Sequence, residues 1–241
     1  MMSEFKNLYT EIFQKNGLDR FIRDDIIVRF EKLTEIMVST NQVMNITALT
    51  TLEKIIPLHY ADCVMIEKHI PLNAMVLDVG CGGGFPILPL AIIRPDLRIT
   101  GLDSTDKKIR YVQNTADELG LSVQTVSGRA EDMAKLSDYR DQFDVVVSRA
   151  VARLNVLDEL CMPFVRVGGS FIAMKGCAGR DEAAEAEIGI SKLCGSIQNI
   201  SEYDLHTKNE IEERFVIQIQ KNAATPKEFP RSFGVMKKKP L

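Results

Sequence analysis

Residues Met75–Pro86 read MVLDVGCGGGFP, and this stretch decides the fold. The apolar run Met75–Val79 carries one acid, Asp78. A glycine cluster follows, then Pro86 and the apolar Ile87–Ile93. A short run of β-formers, a glycine turn and a proline-started apolar segment predict a strand–loop–helix unit. Proline suits the first helical turn, where its missing N–H is not needed. Glycines let the backbone turn sharply and let a ligand approach it. The spacing narrows the ligand. A dinucleotide loop needs G-x-G-x-x-G, and a P-loop ends in Gly-Lys-Ser/Thr. Gly80, Gly82 and Gly84 give G-x-G-x-G followed by Phe85, which matches neither. Taken alone, the motif leaves a purely structural turn as an even alternative.

Downstream, strands and helices alternate. Strands are predicted at 75–79, 98–103, 123–126, 143–147 and 169–175, with helices at 86–94, 105–119, 154–165 and about 180–194. Two further strands, 197–205 and 215–220, have no helix between them. Repeated β–α units imply a mainly parallel sheet covered on both faces, and the closing pair implies an antiparallel edge. The glycine motif and this order resemble class I S-adenosylmethionine-dependent methyltransferases, an α/β, Rossmann-like class with a mostly parallel seven-stranded sheet. Upstream, residues 3–16 and 19–41 read as helices. Leu18, Phe21, Ile22, Ile26, Phe30, Leu33 and Met37 recur there at helical spacing. Arg20, Arg23, Arg29 and Lys32 lie among them, either as a solvated face or as contacts to phosphate. Asn45 and Thr47 can cap a turn. A helix is predicted over 52–70, where His59 and Asp62, three apart, share a face; a core or capping histidine is favoured there over a catalytic one. Three units are expected: a helical N-terminal extension (1–55), the methyltransferase domain (56–222) and a basic C-terminal tail (223–241).

Composition narrows the class of protein. The chain has 241 residues, 45% apolar and 26% charged, enough to bury a core. No apolar run is long enough to span a bilayer, and the first residues lack a signal-peptide pattern, so a cytoplasmic protein is expected. The five cysteines form no C-x-x-C, and reduced, mostly buried thiols are expected. The three histidines are scattered, so no metal site is expected. A net charge of −3 argues against coating nucleic acid by overall charge, while a local basic patch remains compatible with one RNA target.

In a parallel α/β sheet, ligands bind beyond the carboxyl ends of the strands. The first strand ends at Gly80–Phe85. The second ends at Asp103-Ser104, where an acid about twenty residues past the glycines can accept ribose hydroxyls. The third leads to Gly128–Asp132, with Ala130 and Glu131 placed to hold an adenine edge. The fourth ends at Ser148-Arg149-Ala150 and the fifth at Lys175-Gly176. Five polar or glycine-bearing ends in register favour a binding site. Asp78, within the first strand, must be satisfied if buried: by the glycine loop, by a ligand ammonium or by a structural N–H. Arg149 can hold the cofactor end of the site, orient a guanine or phosphate, or pair with an acid such as Glu131. Lys107, Lys108 and Arg110 open a helix, an unfavourable place for cations, which hints at RNA phosphate. No base or nucleophile stands after the fourth strand. The acceptor is therefore expected to be nucleophilic already, as guanine N7 is, with catalysis by alignment and charge placement.

These residues together resemble the glucose-inhibited division protein B family. The resemblance runs through Asn45-Ile46-Thr47-Ala48, His59 with Asp62, Leu77–Pro86, Leu102–Ser104, Gly128–Asp132, Ser148–Ala152, Ala173–Gly176 and the Phe229-Pro230-Arg231 tail. Two positions depart from it: Ile87 where glycine is usual, and Cys63 where serine is usual. The resemblance implies methyl transfer from S-adenosylmethionine to guanine N7 of 16S ribosomal RNA, at the guanosine numbered 527. By motif it places cofactor contacts on Gly80, Phe85, Ala130, Glu131 and Arg149. The full expected site is Asp78, Gly80, Gly82, Gly84, Phe85, Asp103, Ser104, Ala130, Glu131 and Arg149, with Arg149 also catalytic. The expected partner is 16S rRNA or the small ribosomal subunit, with no membrane, for a monomeric chain. The alternatives are a small-molecule methyltransferase and a non-catalytic RNA-binding or assembly factor.

Overall fold

The computed structural model describes residues 4–241. Residue 3, where the first helix is predicted to start, lies outside them. Helix α1 (Glu4–Lys15) buries Phe5, Leu8, Tyr9, Ile12 and Phe13, apolar residues three and four apart. The single helix expected over 19–41 is in two pieces, a 3-10 turn at Asp19–Phe21 and α2 (Asp24–Asn41). Arg23 between them is extended, and Asp24 and Asp25 open α2, where acids favour a helix start. Arg20, Arg23 and Lys32 stand in surface ion pairs with Glu67, Asp25 and Glu118, while Arg29 is exposed.

The helix expected over 52–70 is also segmented: α3 (Leu52–Ile55), a π turn at Ile56–Ala61, α4 (Asp62–Val64) and a 3-10 turn at Glu67–His69. Asp62 N–H donates to Pro57 O, the i→i−5 bond of a π turn. That turn carries His59 and brings Asp62 just after it.

The sheet comprises β1 (Met75–Val79), β2 (Arg98–Asp103), β3 (Val123–Ser127), β4 (Phe143–Arg149), β5 (Val165–Lys175), β6 (Gly195–His206) and β7 (Ile211–Lys221). Its order is β3-β2-β1-β4-β5-β7-β6, with β7 antiparallel to both neighbours and the other pairs parallel. Between the strands run α5 (Ile87–Ile93), α6 (Asp106–Glu118), α7 (Ala130–Met133), α8 (Leu154–Cys161) and α9 (Gly179–Lys192), and α10 (Phe233–Lys238) follows the sheet. Strand β5 starts four residues earlier than predicted, across an irregularity in its pairing with β4, and the closing hairpin is longer at both ends. Successive side chains on a strand face opposite sides. Accordingly Val76 joins the cluster made with α1, α2, α5 and α6, and Leu77 joins the cluster made with α8 and α9. Asp78, Val147 and Arg149 share the first of these faces; Asp78 is the register partner of Val147.

Ile87, the departure from the family pattern, is fully buried. A Cβ on Gly101 would lie 2.7 Å from its Cδ1, so glycine on β2 makes the room that isoleucine on α5 fills. Three cysteines are buried, Cys177 is exposed and none is disulfide-bonded. Among the described residues no helix is long and apolar enough to cross a membrane, and no three His, Cys, Asp or Glu side chains cluster to hold a metal.

The last residues are docked on the domain. Arg140 donates to Ala134 O (3.1 Å), Thr225 O (2.7 Å), Pro226 O (3.1 Å) and Phe229 O (3.0 Å). Arg231 grips the fully buried Glu159 through its backbone N–H (2.7 Å) and its guanidinium (2.6 Å). Composition alone reads this segment as a tail because its partners lie about 70 to 90 residues away in sequence.

Beside Glu159, Asp158 is buried; its Oδ1 accepts the Glu159 N–H at 2.6 Å and its Oδ2 has no partner. Burial pushes its pKa up to about 7. Between about pH 4 and that value, the folded chain holds a proton that the unfolded chain has released. This contribution to stability is complete at acid pH and is lost as pH rises toward 7, at most about 1.4 kcal/mol per pH unit. Asp158→Asn cannot titrate. Its thermal unfolding is expected to lose that pH dependence relative to wild type; parallel curves of Tm against pH for the two proteins would contradict the assignment.

Candidate active site

The strand order reverses between β1 and β4, and the crevice at such a switch point is where open α/β sheets bind ligands. A cavity of about 430 Å³ lies there. The glycine loop forms its floor, with Gly80, Gly82 and Phe85 on the wall. The ends of β2 and β3 contribute Asp103, Ser104, Ala130 and Glu131, and the end of β4 contributes Arg149. Two predicted residues are placed differently. Gly84 faces away from the cavity: a Cβ there would meet Leu88 Cδ1 at 2.5 Å, so its glycine serves close packing of α5. Asp78 is buried off the cavity wall, and neither carboxylate oxygen has a partner. It makes no bond to the glycine loop; Asp103 makes one instead, its Oδ2 accepting Gly82 N–H at 3.0 Å and its Oδ1 accepting Thr105 N–H at 2.8 Å. Burial pushes the Asp78 carboxyl well above the usual carboxylate range, against the pull of Arg149.

Arg149 pairs with Asp62, not Glu131. Its Nη1 donates to Leu58 O (2.7 Å) and Asp62 Oδ2 (3.2 Å), and its Nη2 donates to His59 Nδ1 (3.0 Å). A guanidinium only donates, so Nδ1 accepts and Nε2 carries the imidazole hydrogen, which goes to Thr47 Oγ1 at 2.8 Å. Burial, and then the charge of Arg149, push the His59 pKa down to about 3. The ring is therefore neutral and held in one tautomer at physiological pH. It stacks on Phe85, with centroids 4.1 Å apart and planes at 6°. On the far side, Asp62 Oδ1 accepts from Tyr203 Oη at 2.8 Å and lies 3.5 Å from Arg214 Nε. Burial alone would lower the Arg149 pKa, but Cys63, Asp62 and Asp78 around it hold it above the ordinary value. Three of its five N–H donors go to these partners, leaving Nε and one Nη2 hydrogen for a ligand.

A second cavity, of about 630 Å³, adjoins the first. His59, Arg149, Ala150 and Val151 line both. Ala150 has a left-handed φ of +57°, uncommon without glycine and typical of chain forced into a functional turn. That turn sends Val151 over Gly80. Lys175, at the end of β5, lines the second cavity and donates to Ala152 O (2.6 Å) beside an ion pair with Glu182 (2.9 Å). Of the three cations opening α6, Lys108 lines the first cavity and Lys107 and Arg110 face solvent.

The first cavity fits an extended nucleoside with a charged tail. Its volume falls in the range of small-molecule sites, its floor is a glycine loop in which a Cβ on Gly80 would meet Val151 at 2.5 Å, and two acids, Asp103 and Glu131, stand among its lining residues. Sheet order, glycine loop and the row of strand ends define a class I S-adenosylmethionine-dependent methyltransferase. Two solved structures share this fold. YcgJ of Bacillus subtilis has a TM-score of 0.51 at 16% identity, over 68% of this chain and 99% of that one. A geranyl diphosphate C-methyltransferase from Streptomyces coelicolor A3(2) has a TM-score of 0.50 at 14% identity, over 67% and 77%.

Sequence comparison then identifies the family. Residues 26–211 match the GidB family, described as rRNA small subunit methyltransferase G. The chain is 38% identical over 239 residues to the ribosomal RNA small subunit methyltransferase G of Brevibacillus brevis, covering 98% of this chain and 99% of the relative. It is 41% identical over 239 residues to that of Limosilactobacillus fermentum, covering 96% and 98%. The chain belongs to this family.

Sequence reading did not assemble the chain of contacts from Thr47 through His59, Arg149 and Asp62 to Tyr203. The i, i+3 spacing of His59 and Asp62 is a local signal for one link of it. Tyr203 and Arg214 carry no such signal, because they meet as cross-strand partners of β6 and β7.

Proposed function

We propose that the protein transfers the methyl group of S-adenosylmethionine to N7 of a guanine in 16S rRNA, at the guanosine numbered 527 to which the family resemblance points. Family membership supports an rRNA substrate. The observation that carries the N7 assignment is the wall shared by the two cavities. His59 is neutral with both ring nitrogens engaged, and Arg149 is held charged. No side chain there is free to take a proton. An acceptor attacking from the second cavity must bring its own lone pair, and guanine N7 does so without losing a proton. Gly80, Gly82, Phe85, Asp103, Ala130, Glu131 and Arg149 would hold the cofactor, and it would supply a methyl group that the N7 lone pair accepts with the carbon–sulfur pair left on sulfur. The chain contributes alignment. The Gly80–Phe85 loop seats one reactant, and the turn at Ala150 and Val151 separates the two cavities. The two remaining donors of Arg149 are placed to hold polar atoms of either reactant. Exposed Arg29, Lys107, Arg110 and the Lys237–Lys239 run are available to rRNA phosphate. The substrate is 16S rRNA or the small ribosomal subunit, met in the cytoplasm by a monomeric protein.

The test is direct. The protein is incubated with labelled S-adenosylmethionine and either free 16S rRNA or small subunits, and the labelled nucleoside is isolated and mapped. N7-methylguanosine at one position is expected. Label in another nucleoside, or only in small molecules, would sink the assignment.

A further inference from the structure

We propose that the C-terminal segment is a working part of the cofactor site, and that Phe233 covers the adenine end of it. The proposal rests on reading the first cavity as the S-adenosylmethionine site. Phe233, the first residue of α10, lines that cavity together with Leu160, Gly128, Ala130 and Glu131. This is the end of the cavity beyond β3, away from Arg149 on β4. Phe233 is only half-buried, whereas Met236, one turn later, is fully buried in the α8 cluster. Met236 therefore anchors the helix, and the Phe233 ring is left with a face toward the cavity.

Two clamps set its position. Arg231, two residues before Phe233, is locked onto the buried Glu159, whose neighbour Leu160 is itself on the cavity wall. Arg140 ties carbonyls of residues 225–229 to Ala134 O, at the end of α7, the helix that begins with Ala130. The segment is thus referenced to both sides of one end of the cavity. A flat aromatic face, aliphatic Leu160 and the carboxylate of Glu131 match a purine carrying an exocyclic amine. The ring and the aliphatic wall take its faces, and the acid accepts from its amino group.

The experiment titrates the full-length protein with S-adenosylmethionine and with 5′-methylthioadenosine, which keeps the adenine and lacks the methionine end. Phe233→Ala and Phe233→Leu are each expected to weaken both ligands about tenfold, the loss of one base–aromatic stack. Phe233→Tyr should restore affinity to within about twofold. In turnover assays the KM for S-adenosylmethionine should rise while kcat at saturation and the KM for RNA stay unchanged. Melting of the ligand-free variants reports the fold separately, and Phe233→Leu keeps apolar packing should the alanine variant unfold. Binding of both ligands at wild-type affinity by a folded Phe233→Leu would overturn the proposal. A wild-type protein that binds neither ligand would instead overturn the cofactor reading of the cavity, and this proposal with it.

Discussion

Replacing Arg149 with alanine is expected to lower kcat for methyl transfer by on the order of 100- to 1,000-fold, the scale for removing one preorganised donor at a reacting centre. Arg149 stands on the wall common to both cavities. It joins the end of β4 to the π turn through Leu58 O, His59 and Asp62. Removing it frees His59 to rotate and opens the partition between the cavities. The fold should survive. Breaking a buried ion pair is severe when it strands a charge, but Asp62 keeps Tyr203 at 2.8 Å and Arg214 at 3.5 Å. A stability loss of about 2 kcal/mol is expected, roughly that of lost hydrogen bonds to a charged group. Arg149→Lys should not rescue activity, because an ammonium cannot meet three acceptors arranged around a planar fork. Single-turnover kinetics with a melting curve on each variant decide the matter. An alanine variant with wild-type kcat would remove Arg149 from the mechanism.

Gly80→Ala is expected to weaken S-adenosylmethionine by about tenfold or more through displacement of Val151 at the cavity wall, and to lower stability through backbone strain. Gly80 has φ +78°, and the left-handed region costs an L-residue about 1–2 kcal/mol. The new Cβ would also lie 2.5 Å from Val151 Cγ2. Relief requires moving Val151, which lines both cavities and follows the left-handed Ala150. Each 1.4 kcal/mol is a factor of ten in affinity, so an intrusion of about 1–3 kcal/mol reaches that loss, while the strain, present with and without ligand, is read in stability. Gly17→Ala is the internal control: φ is +65° there too, but nothing lies within 4 Å of the new Cβ. It should lower stability by about 1 kcal/mol and leave cofactor affinity unchanged. Calorimetric titration of the two variants separates backbone strain from intrusion into the site. Equal affinities would show that the glycine loop does not form the cofactor floor.

The sheet was legible in the sequence because the central strands β1 and β4 are short apolar runs and α6, α8 and α9 are periodic helices between strands. Both are local signals that survive in one dimension. The glycine loop, Asp103-Ser104, Ala130-Glu131 and Arg149 were legible for a related reason. A parallel sheet puts every strand's carboxyl end on one edge, so residues distant in sequence become neighbours by rule. The breaks at Arg23 and at the π turn were less so, because helical spacing continues across them and only the packed partners show where the axis shifts. Gly84 and Asp78 belong to the motif by sequence, yet a Cβ at Gly84 would meet Leu88 and the Asp78 carboxyl is buried without a partner off the cavity wall.

The sequence by itself determined the class: the alternation of strands and helices, the ligand edge of the sheet and the loop that excludes dinucleotide and P-loop chemistry follow from spacing, whereas the order of the strands in space came with the folded sheet. Tertiary structure decided which groups are chemically free. That Arg149 meets Asp62 rather than Glu131, that His59 is neutral in one tautomer, and that the C-terminal residues close one end of a cavity all depend on side chains from separate elements converging. Burial and hydrogen-bond geometry arise from that convergence, and they set pKa, tautomer and access in ways that no local pattern encodes.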